Sequence, residues 1–367
     1  MIIRELSLEN FRNYRKQTIA FDESTNVVYG DNAQGKTNLL EAMVLLSAGR
    51  SPRTRSDRET IAFDADCARI EALTETRARE FRTEMELCRG RQKKMTVNGV
   101  RIKRNGDLGG ALNTVFFCPD DLALIRAGAA ERRRFLDLSL CQLRPRYAKA
   151  CAEYSRALDS KLRILRGAEE RPDLLDALPE FNAQLAASGA AIIRYRAQYC
   201  EKLAVCASAA HGECSGGREE LALAYRTDSA VADPLAPEEE LAERLRAHLT
   251  ERRAAETASG LCLCGPHKDD IEVFIGGRSA RTFSSQGQTR TAALALKLAE
   301  REIFKNATGE YPVLLLDDVL SELDDTRQEY VLNRISGGQV FITCCEDDRL
   351  NGLVKGKVFH VRNGEVS

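Results

Sequence analysis

The stretch Val27-Val28-Tyr29-Gly30-Asp31-Asn32-Ala33-Gln34-Gly35-Lys36-Thr37-Asn38-Leu39-Leu40 decides the fold of this 367-residue chain. Its first three residues are a short apolar β-type run that stops at Gly30. From Asn38 the apolar spacing turns helical through Leu40, Met43, Val44 and Leu46. Residues 30–37 between them fit G-x-x-x-x-G-K-[ST], a loop whose backbone N–H groups turn inward around phosphates at a helix N-terminus. In this reading Gly30, Asp31, Asn32, Ala33, Gln34 and Gly35 wrap the phosphates. Lys36 reaches the β/γ-phosphates, and the Thr37 hydroxyl ligates Mg²⁺. Strand, glycine loop and helix in that order imply an α/β nucleotide domain.

The partner of this loop stands about 280 residues further on. Val313-Leu314-Leu315-Leu316 is a continuous apolar run, which suits a parallel strand buried on both faces. It ends in Asp317 and Asp318. The first can hold Mg²⁺ and the second can orient or deprotonate an attacking water. Alone the pair reads as a solvated acidic turn; beside a phosphate loop the functional reading takes over. Ser284-Ser285-Gln286-Gly287-Gln288 opens a helix expected to run to about residue 306. Read plainly it is an N-cap, but it is also a second helix start able to face an anion.

The separation between loop and acids requires a large insertion, and the texture of the chain places it. Residues 1–118 are β-rich and hold the phosphate loop. They include Met95-Thr96-Val97, Asn98-Gly99 and Val100-Arg101-Ile102, where Asn-Gly between alternating runs predicts a hairpin. Residues 119–262 are mostly helical, with apolar positions recurring from Tyr147 to Leu165 and from Phe181 to Leu203. A helix with acids in its first turn follows Pro237, and a strand-like Leu221, Leu223, Tyr225 alternation interrupts the block. Residues 263–367 return to strands, with Ile271, Val273 and Ile275, a Gly276-Gly277 turn, then Ala280–Phe283 as the next strand segment.

Composition narrows the classes. The formal net charge is −1 and 43% of residues are hydrophobic, a globular mixture and not a chain held to nucleic acid by bulk charge. The start Met1-Ile2-Ile3-Arg4-Glu5 carries charges where a signal peptide needs an apolar core, and no stretch reaches 18 uncharged apolar residues. The expectation is a cytoplasmic protein without membrane association. Arg outnumbers Lys 41 to 13, which fits phosphate recognition and a GC-rich genome equally. The twelve cysteines are scattered and read as small, reduced core residues. Cys262/Cys264 and Cys344/Cys345 lack the companions of a zinc site.

The combination resembles the ATPase head of the ABC and SMC class: phosphate loop, Ser-Ser-Gln-Gly-Gln signature, hydrophobic strand with two acids, and Ser321-Glu322-Leu323-Asp324 in the place of its D-loop. More narrowly it resembles the RecF family of bacterial recombination mediators. The matching segments are Leu8–Tyr14, Gly30–Ala42, Phe116–Leu122, Glu131–Asp137, Gly265–Asp270, Ser284–Thr291 and Leu314–Asp324. The resemblance implies that Lys36 and Thr37 bind phosphate and Mg²⁺, that Asp317 is the metal acid and that Asp318 is the catalytic base. It implies that Ser285 and Gly287 meet the γ-phosphate of an opposite protomer in an ATP-dependent homodimer. RecR and RecO are implied as partners, with loading of the RecA recombinase at single-strand gaps, support of the SOS response, and slow hydrolysis as a timer. Three departures stand out. Thr343-Cys344 occupies the place of the usual switch histidine, no glutamine stands near Phe117–Asp120, and Gly128-Ala129-Ala130 replaces the frequent Gly-x-Pro. The first two imply a slow ATPase.

A nucleic-acid surface is expected on the hairpin. Residues 89–104 carry seven cations and no acid, including Arg101, Lys103 and Arg104, and Arg132 and Arg133 form a second cluster. Few aromatics interleave these cations, which favours backbone contacts on duplex DNA, at gap junctions by resemblance, over base stacking on a single strand. Two other classes share the phosphate loop. A transporter ATPase subunit would lack the helical insertion and co-purify with membranes. A small-molecule kinase would have no use for Ser284–Gln288 and would turn over nucleotide only with a metabolite.

Overall fold

The computed structural model describes residues 1–54, 56–320, 323–335, 337–345 and 356–367. The chain forms two compact units. Met1–Leu122, Cys206–Glu219 and Ser285–Ser367 make the first, and Ala123–Val205 with Glu220–Ser284 the second. The inserted unit thus extends beyond residue 262 to Ser284, because β-structure after 262 pairs with the strand at 221. The helix Leu178–Ser215 is shared, its last turns from Cys206 belonging to the first unit.

In chain order the first unit begins with β1 (Ile2–Phe11), β2 (Tyr14–Ala20), β3 (Thr25–Tyr29) and β4 (Cys67–Glu75). It continues with β5 (Glu80–Cys88), β6 (Lys94–Val97), β7 (Val100–Ile102) and β8 (Thr114–Phe117). The second unit holds β9 (Leu221–Arg226), β10 (Asp270–Ile275) and β11 (Arg278–Ser279). The first resumes with β12 (Val313–Asp317), β13 (Val340–Cys344), β14 (Gly356–Arg362) and β15 (Glu365–Val366).

Two six-stranded sheets organise the first unit. One is antiparallel in the order β2-β1-β4-β5-β6-β7. The other runs β15-β14-β3-β13-β12-β8, parallel except for β15. As its apolar run requires, β12 is buried along its whole length. The helix Lys36–Ala48 touches strands of both sheets and is buried on nearly all sides. A helix that is apolar all round needs such a place. Its buried acid Glu41 is held by Arg12 through a two-point ion pair at 2.9 and 2.7 Å. At the predicted hairpin Asn98 and Gly99 both take positive φ, 50° and 76°, as a tight two-residue turn demands.

Two expectations are corrected. Ala280–Phe283 is a helical turn and not a strand: Ala280 is buried while Arg281, Thr282 and Phe283 are all exposed, without the in–out alternation of a strand. Cys67 and Cys88 are not separate reduced residues; they face each other in the β4–β5 register and are joined as a disulfide.

The second unit holds helices Ala129–Leu143, Pro145–Gly167, Glu238–Glu251 and Arg253–Ser259, the first part of Leu178–Ser215 and the sheet β11-β10-β9, with Ala129–Leu143 packed on β10. A polar network lies at its centre. Arg196 donates to Asp269 and Asp137 at 2.8 Å each and to the Pro266 carbonyl at 2.7 Å, and Thr227 donates to Asp269 at 2.7 Å. Lys161 and Glu256 form a fully buried pair at 2.6 Å. The segment Gly265–Asp270 therefore has a structural task here. Cys264 lies near Asp228 and His248, but those two bond directly at 2.6 Å and Arg252 donates to the other ring nitrogen at 3.3 Å.

Candidate functional site

The parallel sheet brings the separated motifs together. β3 delivers the phosphate loop, β13 lies beside it, and β12 follows with its acids at the end of the strand. Gly30 sits at φ +148°, and a Cβ there would lie 2.3 Å from the Val361 carbonyl oxygen. Gly35, at φ +123°, would drive a Cβ into the Asn13 side chain. Both glycines are required by position. Loop carbonyls are turned away into fixed partners: Asn13 Nδ2 and Gly364 N donate to Gln34 O at 2.7 and 3.0 Å, and Tyr14 Oη donates to Gly35 O at 3.0 Å. The C-terminal turn adds Asn363 N to Gln34 Oε1 at 2.7 Å.

Lys36 is 7% exposed, and its ammonium donates to the carbonyls of Gly30 and Asp31, the latter at 3.0 Å. It therefore spans the loop opening from within. Thr37 Oγ1 and Thr343 Oγ1 each donate to Asp317 Oδ1 at 2.9 Å. Asp318 adopts a left-handed φ of 53°, and its N–H donates to Thr343 Oγ1 at 2.8 Å. Burial pushes the Asp317 carboxyl above the ordinary carboxylate value, while the two hydroxyls and the Arg53 charge pull it back. Residues 31–38, Arg53, Asp317, Asp318 and Thr343 line one cleft of about 200 Å³. Thr37 and Asp317 offer hard oxygen donors side by side, a set that fits a small divalent cation.

Ser285 and Gly287 are not among the residues lining this cleft. Ser285 is exposed and caps the helix Gln286–Thr308 through a capping box, its Oγ accepting from Gln288 N at 3.2 Å and its N–H donating to Gln288 Oε1 at 2.7 Å. Of the expected D-loop, Ser321 and Glu322 lie outside the described residues; Asp324 caps the helix Asp325–Arg334. At Phe117–Asp120, Cys118 N donates to Asp121 at 2.9 Å, and Asp121 pairs with buried Lys297 at 3.1 Å.

The two basic clusters part company. Arg101, Lys103 and Arg104 are exposed and form no ion pair among the described residues. Lys93 and Lys94 of the same run pair with Asp57 and Glu86. The Arg132 cluster is corrected. Arg132 is 5% exposed and locked to Asp270 by two bonds of 2.6 and 2.9 Å, and Arg133 is half-buried and donates to the Asp269 carbonyl at 2.7 Å. Their charge is spent inside the second unit.

Sequence reasoning missed Arg53, Asn38 and Asn13. Arg53 Nη1 donates to Asn38 Oδ1 at 3.0 Å, and Asn38 Nδ2 to Asn13 Oδ1 at 2.9 Å, a chain along the cleft wall. Asn13 stood inside a family-like segment with no role attached, and nothing in the spacing around Arg53 distinguishes it.

Fold and site together define a phosphate-loop nucleotide-binding head of the SMC type. The family model described as RecF/RecN/SMC N terminal domain matches residues 2–366. A DNA replication and repair protein RecF from Agathobacter rectalis is 42% identical over 368 residues, covering 100% of this chain and 99% of that protein. Its counterpart from Lachnoclostridium phytofermentans is 39% identical, with 98% and 99% covered. A solved structure of the recombination mediator protein RecF-ATP in the RecFOR pathway is similar with a TM-score of 0.92 and 37% identity, covering 100% of this chain and 97% of that one. An SMC head bound to the C-winged helix domain of ScpA, at TM-score 0.56 and 16% identity, shares the fold. The chain belongs to the RecF family.

Proposed function

We propose that the chain is an ATP-dependent DNA-binding protein of recombinational gap repair and replication restart. One observation carries the reading: Lys36, Thr37, Asp317 and Asp318, drawn from opposite ends of the chain, converge on one cleft. ATP enters with its phosphates in the Gly30–Thr37 loop. Lys36 exchanges its loop carbonyls for phosphate oxygens, and Thr37 and Asp317 would hold Mg²⁺. When bound, the metal would supply positive charge to neutralise the phosphates. Asp318 orients or deprotonates water.

Because Ser285 and Gly287 stand outside the cleft that their own chain builds, they act in trans, completing the site of a second copy in an ATP-dependent homodimer. Duplex DNA, at gap junctions, rests on the hairpin carrying Arg101, Lys103 and Arg104. Slow, DNA-stimulated hydrolysis is the timer that reopens the dimer. RecR and RecO are the expected partners, since relatives are described within the RecFOR pathway. Recombinase loading and support of the SOS response follow from that placement, and the cytoplasm is the expected location. No helix among the described residues is long and apolar enough to cross a membrane.

Sedimentation with and without ATP and gapped duplex DNA, read together with phosphate release, tests the reading. The expected result is a dimer that forms only with ATP and hydrolysis that rises with DNA. Turnover indifferent to DNA, with a single sedimenting species throughout, would overturn it.

A further inference from the structure

We infer that Thr343 is the positioning residue of the hydrolytic centre, holding both acids of the β12 end through one hydroxyl. The parallel register places Thr343 of β13 opposite Asp317 of β12 on one side and Val28 of β3 on the other. It therefore stands between the strand that feeds the phosphate loop and the strand that carries the acids. A threonine hydroxyl has one proton to give and lone pairs to accept with. The proton goes to Asp317 Oδ1 at 2.9 Å, and a lone pair takes the Asp318 N–H at 2.8 Å.

Both bonds constrain something the reaction needs. Thr343 and Thr37 grip the same oxygen of Asp317, so the carboxylate plane is fixed relative to the loop threonine. Asp318 holds a left-handed backbone at φ 53°, which a side chain other than glycine adopts at a cost, and the bond from its N–H to Thr343 offsets that cost. Thr343 is 1% exposed and its hydroxyl is used in both directions, so it acts through the acids and does not bind substrate. Valine in its place keeps the branched shape while removing both bonds; serine keeps both bonds and loses a methyl group.

The assignment rests on the ATP-hydrolysing reading above. Its test compares the unaltered chain, Thr343→Val, Thr343→Ser and Lys36→Arg. The measurements are DNA-stimulated phosphate release, affinity for a fluorescent ATP analogue without magnesium, and thermal midpoint. Loss of a hydrogen bond to an ionised group predicts a kcat about tenfold or more lower in Thr343→Val, with nucleotide affinity within about twofold because the Lys36 bonds are untouched. Thr343→Ser should recover kcat to within about threefold of the unaltered chain. Equal rates in Thr343→Val and the unaltered chain would overturn the positioning role. So would equal damage in Val and Ser, or a rate loss matched by lost nucleotide affinity. If the unaltered chain turns over no more ATP than Lys36→Arg, the ATPase reading itself falls and the assignment falls with it.

Discussion

At the scale of single residues, the proposed function puts the phosphate chemistry on Lys36. Its ammonium donates to the Gly30 and Asp31 carbonyls inside a loop that leaves it 7% exposed. A guanidinium is planar and wider than an ammonium, and cannot sit as a point charge among those carbonyls and the incoming phosphates. Lys36→Arg should leave the thermal midpoint close to that of the unaltered chain. DNA-stimulated phosphate release should fall at least about tenfold, as expected when an interaction made in the transition state is removed. The loop motif made Lys36 and Thr37 legible because phosphate chemistry fixes their spacing, and Asp317 was legible as the acid that ends a continuous apolar strand. Arg53 was not legible: it reaches the cleft through the path of the chain after Gly49, which no local periodicity encodes. His267 shows a second limit. Its Nε2 faces the Cys262 carbonyl at 3.1 Å, so it must donate there, and Nδ1 accepts from Tyr154 Oη at 2.6 Å. Burial depresses its pKa below the ordinary 6.5. The unfolded chain then binds more protons than the folded one as pH falls through and below that value, so stability contributed by this neutral ring is lost on acidification. Urea unfolding at about pH 7.5 and pH 5.5 should show a smaller pH-dependent loss in His267→Gln than in the unaltered chain. An equal loss would remove His267 from the account.

At the scale of elements, the hairpin and the helix Ala129–Leu143 looked alike in sequence, each carrying a run of cations, and the structure separates them. Arg101 and its neighbours extend from the short strands β6 and β7, exposed beyond a tight turn. Arg132 lies on the face of its helix that packs against β10, where Asp270 holds it. A charge run records composition but not the direction in which a helix face turns; only the packing of Asp270 against that face decides it. Two variants read out the difference. Replacing Arg101, Lys103 and Arg104 by Ala should weaken duplex binding similarly across sequences and reduce the slope of log affinity against log salt by about one for each phosphate no longer neutralised. Stability should be unchanged within about 0.5 kcal/mol, since the cations removed are exposed and form no ion pair among the described residues. Arg132→Ala should do the converse. It strands Asp270 without its partner and should cost about 3–5 kcal/mol in urea unfolding while leaving the salt slope as it was. An Arg132→Ala protein of unaltered stability whose DNA binding has a shallower salt dependence would restore the cluster to the DNA surface.

At the scale of the whole molecule, the order of elements was legible because each motif announces its own strand or helix. The limits of the inserted unit were not, because β9 in the helical block pairs with β10 beyond its expected end at 262, a long-range partnership that local texture does not encode. The same scale holds the consequence of the proposed homodimer. In the proposed homodimer, a chain whose cleft lacks Ser285 supplies that residue to the other copy. Ser285→Arg removes an N-cap, worth about 1 kcal/mol, so the thermal midpoint should drop by a few degrees while the cleft itself stays intact. Near-normal ATP affinity in the monomer is expected. In a closed homodimer the new side chain would stand against the opposite γ-phosphate, so ATP-dependent dimerisation and DNA-stimulated hydrolysis should both be lost. Mixing Ser285→Arg with Lys36→Arg protein sharpens the test. In the mixed dimer one site pairs an intact loop with an intact signature, and the other pairs two damaged parts. Neither variant should hydrolyse ATP alone, and the mixture should recover a measurable fraction of the unaltered rate. Failure to recover any, together with loss of ATP binding in Ser285→Arg monomer, would make the segment an ordinary helix cap and leave the second copy without a part in the site.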